Sequence, residues 1–243
     1  MYSEINSVLL PRREVSGEQT DEMYQLLARH FEGVTRQQFT RDLAAKNWIV
    51  LIRREERLVG FSTLLVYESL FDGEAVSVVY SGDTIMAREA WGTMALARAW
   101  IAAVNQLRES YPRGKYYWLL LTSGFRTYRF LPVFWREFYP RFDAIPPRGT
   151  ESLTDHLAQG RFGQQYQRGI VRFAQPQRLR GELADIPAGR LADPHVAFFL
   201  SKNPGYRNGD ELVCLTELIT ENLTAAGRRM VGPRHGEVSS CNH

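Results

Sequence analysis

The stretch that most constrains this chain runs from Ala75 to Arg108, AVSVVYSGDTIMAREAWGTMALARAWIAAVNQLR. Its first part is apolar and β-branched, as a strand requires. Ala87 to Gly92 supplies a sharp turn, and the remainder has the spacing of a long amphipathic helix. A strand that feeds directly into a helix leaves the first helical N–H groups without partners at the positive end of the helix dipole, and this favours an anion. The phosphates of any cofactor or co-substrate are therefore expected here.

The flanking segments define the fold class. Residues 1–20 read as an irregular arm. Met23, Leu26, Leu27, His30 and Phe31 share one helical face over Asp21–Phe31, with Thr20 or Asp21 as cap, and Thr35–Lys46 repeats the pattern through Phe39 and Leu43. The period then changes to that of strands: Trp48–Arg53, a polar turn at Arg54-Glu55-Glu56-Arg57, and Leu58–Tyr67 form a hairpin. A turn at Phe71-Asp72-Gly73-Glu74 leads into the opening strand, which makes three consecutive antiparallel strands. Tyr116–Thr122 (YYWLLLT) is apolar enough to be a central strand covered on both faces.

Beyond it, Phe125–Tyr139 reads as a helix kinked at Pro132, and Thr150–Gly160 as a short helix capped by Thr150 or Ser152. Residues 161–194 form a long excursion, His195–Leu200 a late strand, Asp210–Ala226 a final helix and residues 227–243 a disordered tail. The expected fold is α+β, with a mixed, mostly antiparallel central sheet flanked by helices and a C-terminal extension.

The order of these elements, with the hairpin RREERLVGFSTLLVYE and the strand–turn–helix at Ala75–Arg108, resembles the GCN5-related N-acetyltransferase superfamily over roughly Asp21–Tyr139. The resemblance implies an acyltransferase core at 21–145, an extension at 146–226 that completes or covers it, and direct attack of an amine on a thioester. The family's donor loop has Arg or Gln, two residues, Gly, one residue, then Gly or Ala; here the run is Arg88-Glu89-Ala90-Trp91-Gly92-Thr93. Arg88 matches, whereas Trp91 and Thr93 stand where small residues let the backbone approach a pyrophosphate. Trp91 should crowd that group and Glu89 should oppose its charge. The loop thus implies an acyl-CoA or an acyl-carrier-protein thioester as co-substrate, with no permanently bound cofactor. Ile85, Met86, Arg88, Trp91, Gly92 and Thr93 are the donor-binding candidates.

Each remaining candidate has a plainer reading beside it. Asp83, near the end of the strand with Tyr80, is the candidate base, or it merely caps a turn. Glu68, at the end of the preceding strand, is a second base candidate. Ser123, Arg126 and Arg129 lie at another strand-to-helix junction, where the two arginines could share a face and hold a phosphate, or be solvated. Tyr128 and Tyr139 are candidate acids for the leaving thiol, as the resemblance implies, or packing aromatics. Phe130, Phe134, Trp135, Phe138 and Tyr139 read as core or as an acyl pocket. The loop from Pro204 to Glu211 could cover the acceptor. His30, His156 and His195 have no metal spacing, and no metal site is expected.

Composition bounds the rest. The 243 residues carry 30 basic and 27 acidic side chains, a net +3 without a basic run, which does not favour nucleic acid. The two cysteines, Cys214 and Cys241, make neither a zinc pair nor a disulfide framework. No stretch has the length of a membrane span or of a signal-peptide core, so a cytoplasmic protein is expected. The acceptor is expected to be a small-molecule amine, with an acyl carrier protein as a further candidate partner. Two alternatives remain open: a catalytically inactive ligand-sensing or protein-interaction module on the same fold, and a transferase that uses aminoacyl-tRNA.

Overall fold

The structure, a computed structural model, describes residues 4–231. In chain order its elements are β1 (Ile5–Pro11), α1 (Gly17–His30), β2 (Phe31–Glu32), α2 (Arg36–Ala44), β3 (Trp48–Arg54), β4 (Arg57–Phe71), β5 (Glu74–Met86), α3 (Ala95–Ser110) and β6 (Lys115–Thr122). There follow α4 (Phe125–Tyr128), α5 (Phe130–Phe134), α6 (Thr150–Phe162), β7 (Tyr166–Gln167), β8 (Ile170–Val171), β9 (Arg178–Leu179), α7 (Pro194–Lys202), β10 (Glu211–Glu217) and α8 (Ala225–Met230). Eight strands form one sheet in the order β1-β3-β4-β5-β6-β10-β8-β7. Every neighbouring pair is antiparallel except β5 and β6, which are joined by α3 and run parallel. The α+β class and the mixed, mostly antiparallel sheet are as the sequence predicts.

Local chemistry explains the hairpins. Asp72 and Gly73, both at positive φ (51° and 81°), make the two-residue turn between β4 and β5, a conformation that the Asp-Gly pair adopts readily. The helices pack on both sheet faces. On one, the Trp100 ring of α3 stacks on Trp118 of β6 with centroids 4.2 Å apart. On the other, Leu153 and Leu157 of α6 meet Val78, Leu119 and Val213.

Several expected elements are corrected. The arm is an ordered edge strand, β1, paired with β3 from Ile5 opposite Arg54 to Pro11 opposite Trp48. The first helix begins one turn earlier than expected, because Ser16 and Gln19 form a reciprocal capping box. Thr150 is the first residue of α6, which has Gly149 before it and no side-chain cap, so neither Thr150 nor Ser152 caps it. Phe125–Tyr139 holds two short helices, after which Trp135 and Tyr139 bridge to Leu223 and Leu215 in extended conformation.

The late strand and the final helix exchange roles. His195–Leu200 lies in helix α7, started by Pro194 in its first turn and by Asp193, whose carboxylate accepts from the His195 N–H at 3.0 Å. Within Asp210–Ala226, Glu211–Glu217 is strand β10, inserted between β6 and β8 and buried on both faces, which hides the alternation that would mark it. Residues 227–230 of the expected tail belong to α8, which closes the fold; 232–243 lie outside the described residues.

Candidate functional site

β5 and β6 run side by side from Val76 opposite Lys115 to Ser81 opposite Leu120, and there the pairing stops. The cause is visible on the other side of β5. Against β4 the register passes from Leu64–Ser81 to Ser62–Thr84, so Gly82 and Asp83 form a bulge opposite Thr63. A bulge raises the local twist and re-aims side chains. Past it β5 continues to Met86 along β4 while β6 ends at Thr122, and a wedge opens between the parallel strands.

The wedge leads into a cleft of about 810 Å³. Its lining comes from both faces of the sheet: Trp100, Trp118 and Leu120 belong to the core beneath α3, whereas Tyr80, Leu121 and Phe162 belong to the cluster beneath α6. A molecule on one face can therefore reach a molecule on the other through the gap.

Asp83 stands in the gap, half-buried. Burial raises its carboxyl to about 6, against the pull of the nearby Lys46 ammonium. Lys46, at the end of the α2 segment, is only 8% exposed; its Nζ donates to the Asp42 carbonyl at 3.1 Å. Burial lowers its pKa, and the Asp83 charge opposes that shift. Glu211, the first residue of β10, is raised to about 8 by burial and by the charge of Asp83. Burial also pushes the Tyr80 phenol far above its ordinary value, so it stays protonated. On the cleft wall, His30 Nδ1 bonds the Leu26 carbonyl at 2.9 Å, and His30 Nε2 and Gln38 Oε1 have no partner among the described residues.

The loop that precedes α3 occupies the other end. Gly92, at φ 81° with open space where a Cβ would stand, and Thr93 line the cleft just before α3, whose Met94 cap supplies no side-chain bond. Trp91 is not in the core. It is 37% exposed, donates from Nε1 to the Met86 carbonyl at 2.7 Å, and has the guanidinium carbons of Arg126 and Arg88 at 4.9 and 5.6 Å from its ring. The charge of Glu89 is met by Arg57 at 2.6 Å on the surface.

Of the expected site residues, Asp83, Ile85, Met86, Trp91, Gly92, Thr93, Ser123 and Arg126 line the cleft, and Arg88 stands beside Trp91 at its mouth. Four do not reach it. Glu68 lies opposite Ser77, at the end of β4 away from the wedge, and pairs with Arg113 at 3.0 Å. Tyr128 is fully buried and donates to the Pro140 carbonyl at 2.9 Å. Tyr139 bridges to Leu215 on the far side of β10, and Arg129 pairs with Asp193 at 2.8 Å. Arg126 and Arg129 thus part company, because the helix expected to carry both breaks between α4 and α5. Lys46 and Arg161 are cleft residues that sequence reasoning missed, and Glu211 was expected only as the end of a loop over the acceptor. Each is a single charged residue at the edge of an element, with no motif around it.

No protein-family model matches the sequence, and no curated protein matches it. Among solved structures, similarity is found to a GCN5-related N-acetyltransferase from Kribbella flavida, at 14% identity and TM-score 0.43, covering 56% of this chain and 34% of that one. A GCN5-related N-acetyltransferase from Anabaena variabilis is similar at 14% identity and TM-score 0.41, over 56% of this chain and 32% of that one. Escherichia coli ElaA is similar at 18% identity and TM-score 0.39, over 60% and 95%. The chain spans about a third of the length of the first two. Likeness at this level adds nothing to what the strand order and the wedge already define.

Proposed function

We propose that this protein is an acyltransferase that moves an acyl group from a thioester, either an acyl-CoA or an acyl-carrier-protein thioester, to an amine. The observation that carries this reading is the gap between β5 and β6, which connects an anion-favouring helix start on one side with a desolvated carboxylate on the other. Such a gap lets two substrates meet while the sheet holds them apart elsewhere.

In this reading the donor's phosphate groups lie at the start of α3, near Arg126 and the face of Trp91, and the apolar wall of Leu96, Trp100 and Leu120 receives the chain that ends in the thioester. The acceptor enters from the side of Tyr80 and Phe162. Its nitrogen attacks the thioester carbonyl carbon and Asp83 takes the proton that the nitrogen sheds. The tetrahedral adduct collapses with cleavage of the C–S bond. With its carboxyl held near 8, Glu211 is mostly protonated at pH 7 and supplies a proton to the departing thiolate. The two carboxylates divide the work of base and acid because their surroundings separate their proton affinities.

The test is thermal stability of the purified protein with CoA, acetyl-CoA, a long-chain acyl-CoA and an acyl-carrier-protein thioester, followed by release of free thiol in the presence of amines. A donor that binds the folded state raises the melting temperature by mass action. Absence of stabilisation by all four would remove the reading. Stabilisation without thiol release under any amine would leave a sensing module.

A further inference from the structure

The lining of the cleft beneath α6 includes two cations, Lys46 and Arg161, and two carboxyl groups, Asp83 and Glu211. Lys46 Nζ and Arg161 Cζ each lie 5.3 Å from the centroid of the Tyr80 ring. Among the described residues neither cation makes an ion pair, and the charge of Arg161 contributes to the lowering of Lys46. Two cations at one aromatic ring, one of them almost fully buried, favour an anion in the cleft that both line. Asp83 and Glu211 line the same cleft; with Glu211 mostly protonated, the Asp83 carboxylate is a negative charge there that a cation would meet. Lys46 feels the charge of Asp83 but makes no contact pair with it, so the two sets do not simply cancel.

One kind of ligand meets both the cations and the Asp83 carboxylate, a small zwitterion with adjacent ammonium and carboxylate groups. Part of the remaining lining is aromatic. Phe162 meets the Tyr80 ring edge-on at 5.6 Å, Phe173 meets Phe162 at 6.1 Å, and both line the cleft. An apolar side chain laid along these two rings would be covered by them.

From this arrangement we infer that the acceptor is a free α-amino acid with a large apolar side chain: its carboxylate lies between Arg161 and Lys46, its amine faces Asp83, and its side chain lies along Phe162 and Phe173. The inference rests on the acyltransfer reading for the fate of the amine, but the binding claim stands on the cleft alone. Acylation would then give an N-acyl amino acid, in which the ammonium charge is lost and the carboxylate kept. A reaction that makes or consumes such amides is the expected neighbour.

The experiment is calorimetric titration of the full chain, without donor, with L-phenylalanine, L-phenylalaninamide, phenethylamine and 3-phenylpropanoate. L-Phenylalanine is expected to bind at least tenfold more tightly than the three analogues, each of which lacks one charge of the zwitterion. In Arg161→Gln, an exposed position on α6 whose replacement leaves the core intact, L-phenylalanine should weaken about tenfold while phenethylamine is unchanged. Equal binding of phenethylamine and L-phenylalanine, an unaffected R161Q variant, or no binding of L-phenylalanine would each overturn the inference. Donor stabilisation is measured separately, so failure here leaves the acyltransfer reading standing, and amino-acid binding without any donor binding would remove that reading alone.

Discussion

The Trp118 indole N–H donates to the Ser81 hydroxyl at 2.8 Å, on the last rung before β5 and β6 separate. Both residues are almost fully buried, and the bond ties the two strands together at the point from which the cleft opens. Ser81→Ala leaves the indole N–H with no partner in the core, a loss of about 1–3 kcal/mol. Equilibrium unfolding in urea checks this. A wild-type midpoint in S81A would mean that the bond does not matter to the wedge.

Asp83→Asn removes the proposed base and should lower the rate of acyl transfer by about 10²–10⁴. Its effect on stability has a definite sign. The folded-state value, about 6, lies above the unfolded value of 3.8, so the folded protein holds the proton more tightly. That contribution is complete below about 3.8 and is lost as pH rises through about 6. Wild type should therefore lose stability relative to D83N across that window and run parallel to it above. Melting temperatures from pH 3 to 8 measure the difference; a constant offset would contradict a raised Asp83.

Gly82 is the other half of the bulge. A Cβ there would sit 2.6 Å from Lys46 Cε, 2.9 Å from its Nζ and 2.7 Å from Thr63 Oγ1. Gly82→Ala must push the ammonium away, weakening the attraction that opposes the burial of Asp83. The acidic limb of the pH–rate profile should move up from about 6 in G82A, and further in Lys46→Met. A downward shift in either variant would show that Lys46 does not hold Asp83 in its charged form.

Arg126→Gln should weaken a phosphate-bearing donor about tenfold through loss of a charge-assisted contact, and should leave an acyl-pantetheine fragment without phosphates unaffected. Equal weakening of both ligands would assign Arg126 a purely structural part through its 2.9 Å bond to the Leu183 carbonyl.

Glu68→Gln and Tyr128→Phe are the complementary controls. Glu68 makes a surface pair with Arg113, worth about 0–1 kcal/mol, and E68Q should alter neither rate nor stability measurably. Y128F loses a buried bond to the Pro140 carbonyl, worth about 1 kcal/mol, with activity within twofold of wild type. A hundredfold loss of rate in either variant would return that residue to the site.

Much of the fold was legible because its central hairpins carry strong local signals. Asp72-Gly73 marks its own turn, and the run from Ala75 to Tyr80 is mostly apolar and β-branched. What escaped was set by distant contacts. Glu211–Glu217 is a strand because β6 and β8 flank it; alone, ELVCLTE suits helix or strand equally. The site was half legible for the same reason. Asp83, Gly92 and Arg126 lie at strand-to-helix junctions, where the chain itself announces a function. Lys46, Arg161 and Glu211 come from three separated elements that only the folded sheet brings to Tyr80. Glu68 looked plausible because strand ends attract attention, yet the antiparallel pairing of β4 and β5 puts its end opposite Ser77, remote from the wedge.

If an amine takes an acyl group from a thioester in the gap beside Asp83, thiol release measured against pH for wild type and D83N, at saturating donor, will show it. The wild-type rate should rise through a limb near 6, and the D83N rate should be about 10²–10⁴ lower with no such limb. Equal rates with superimposable pH profiles would contradict it.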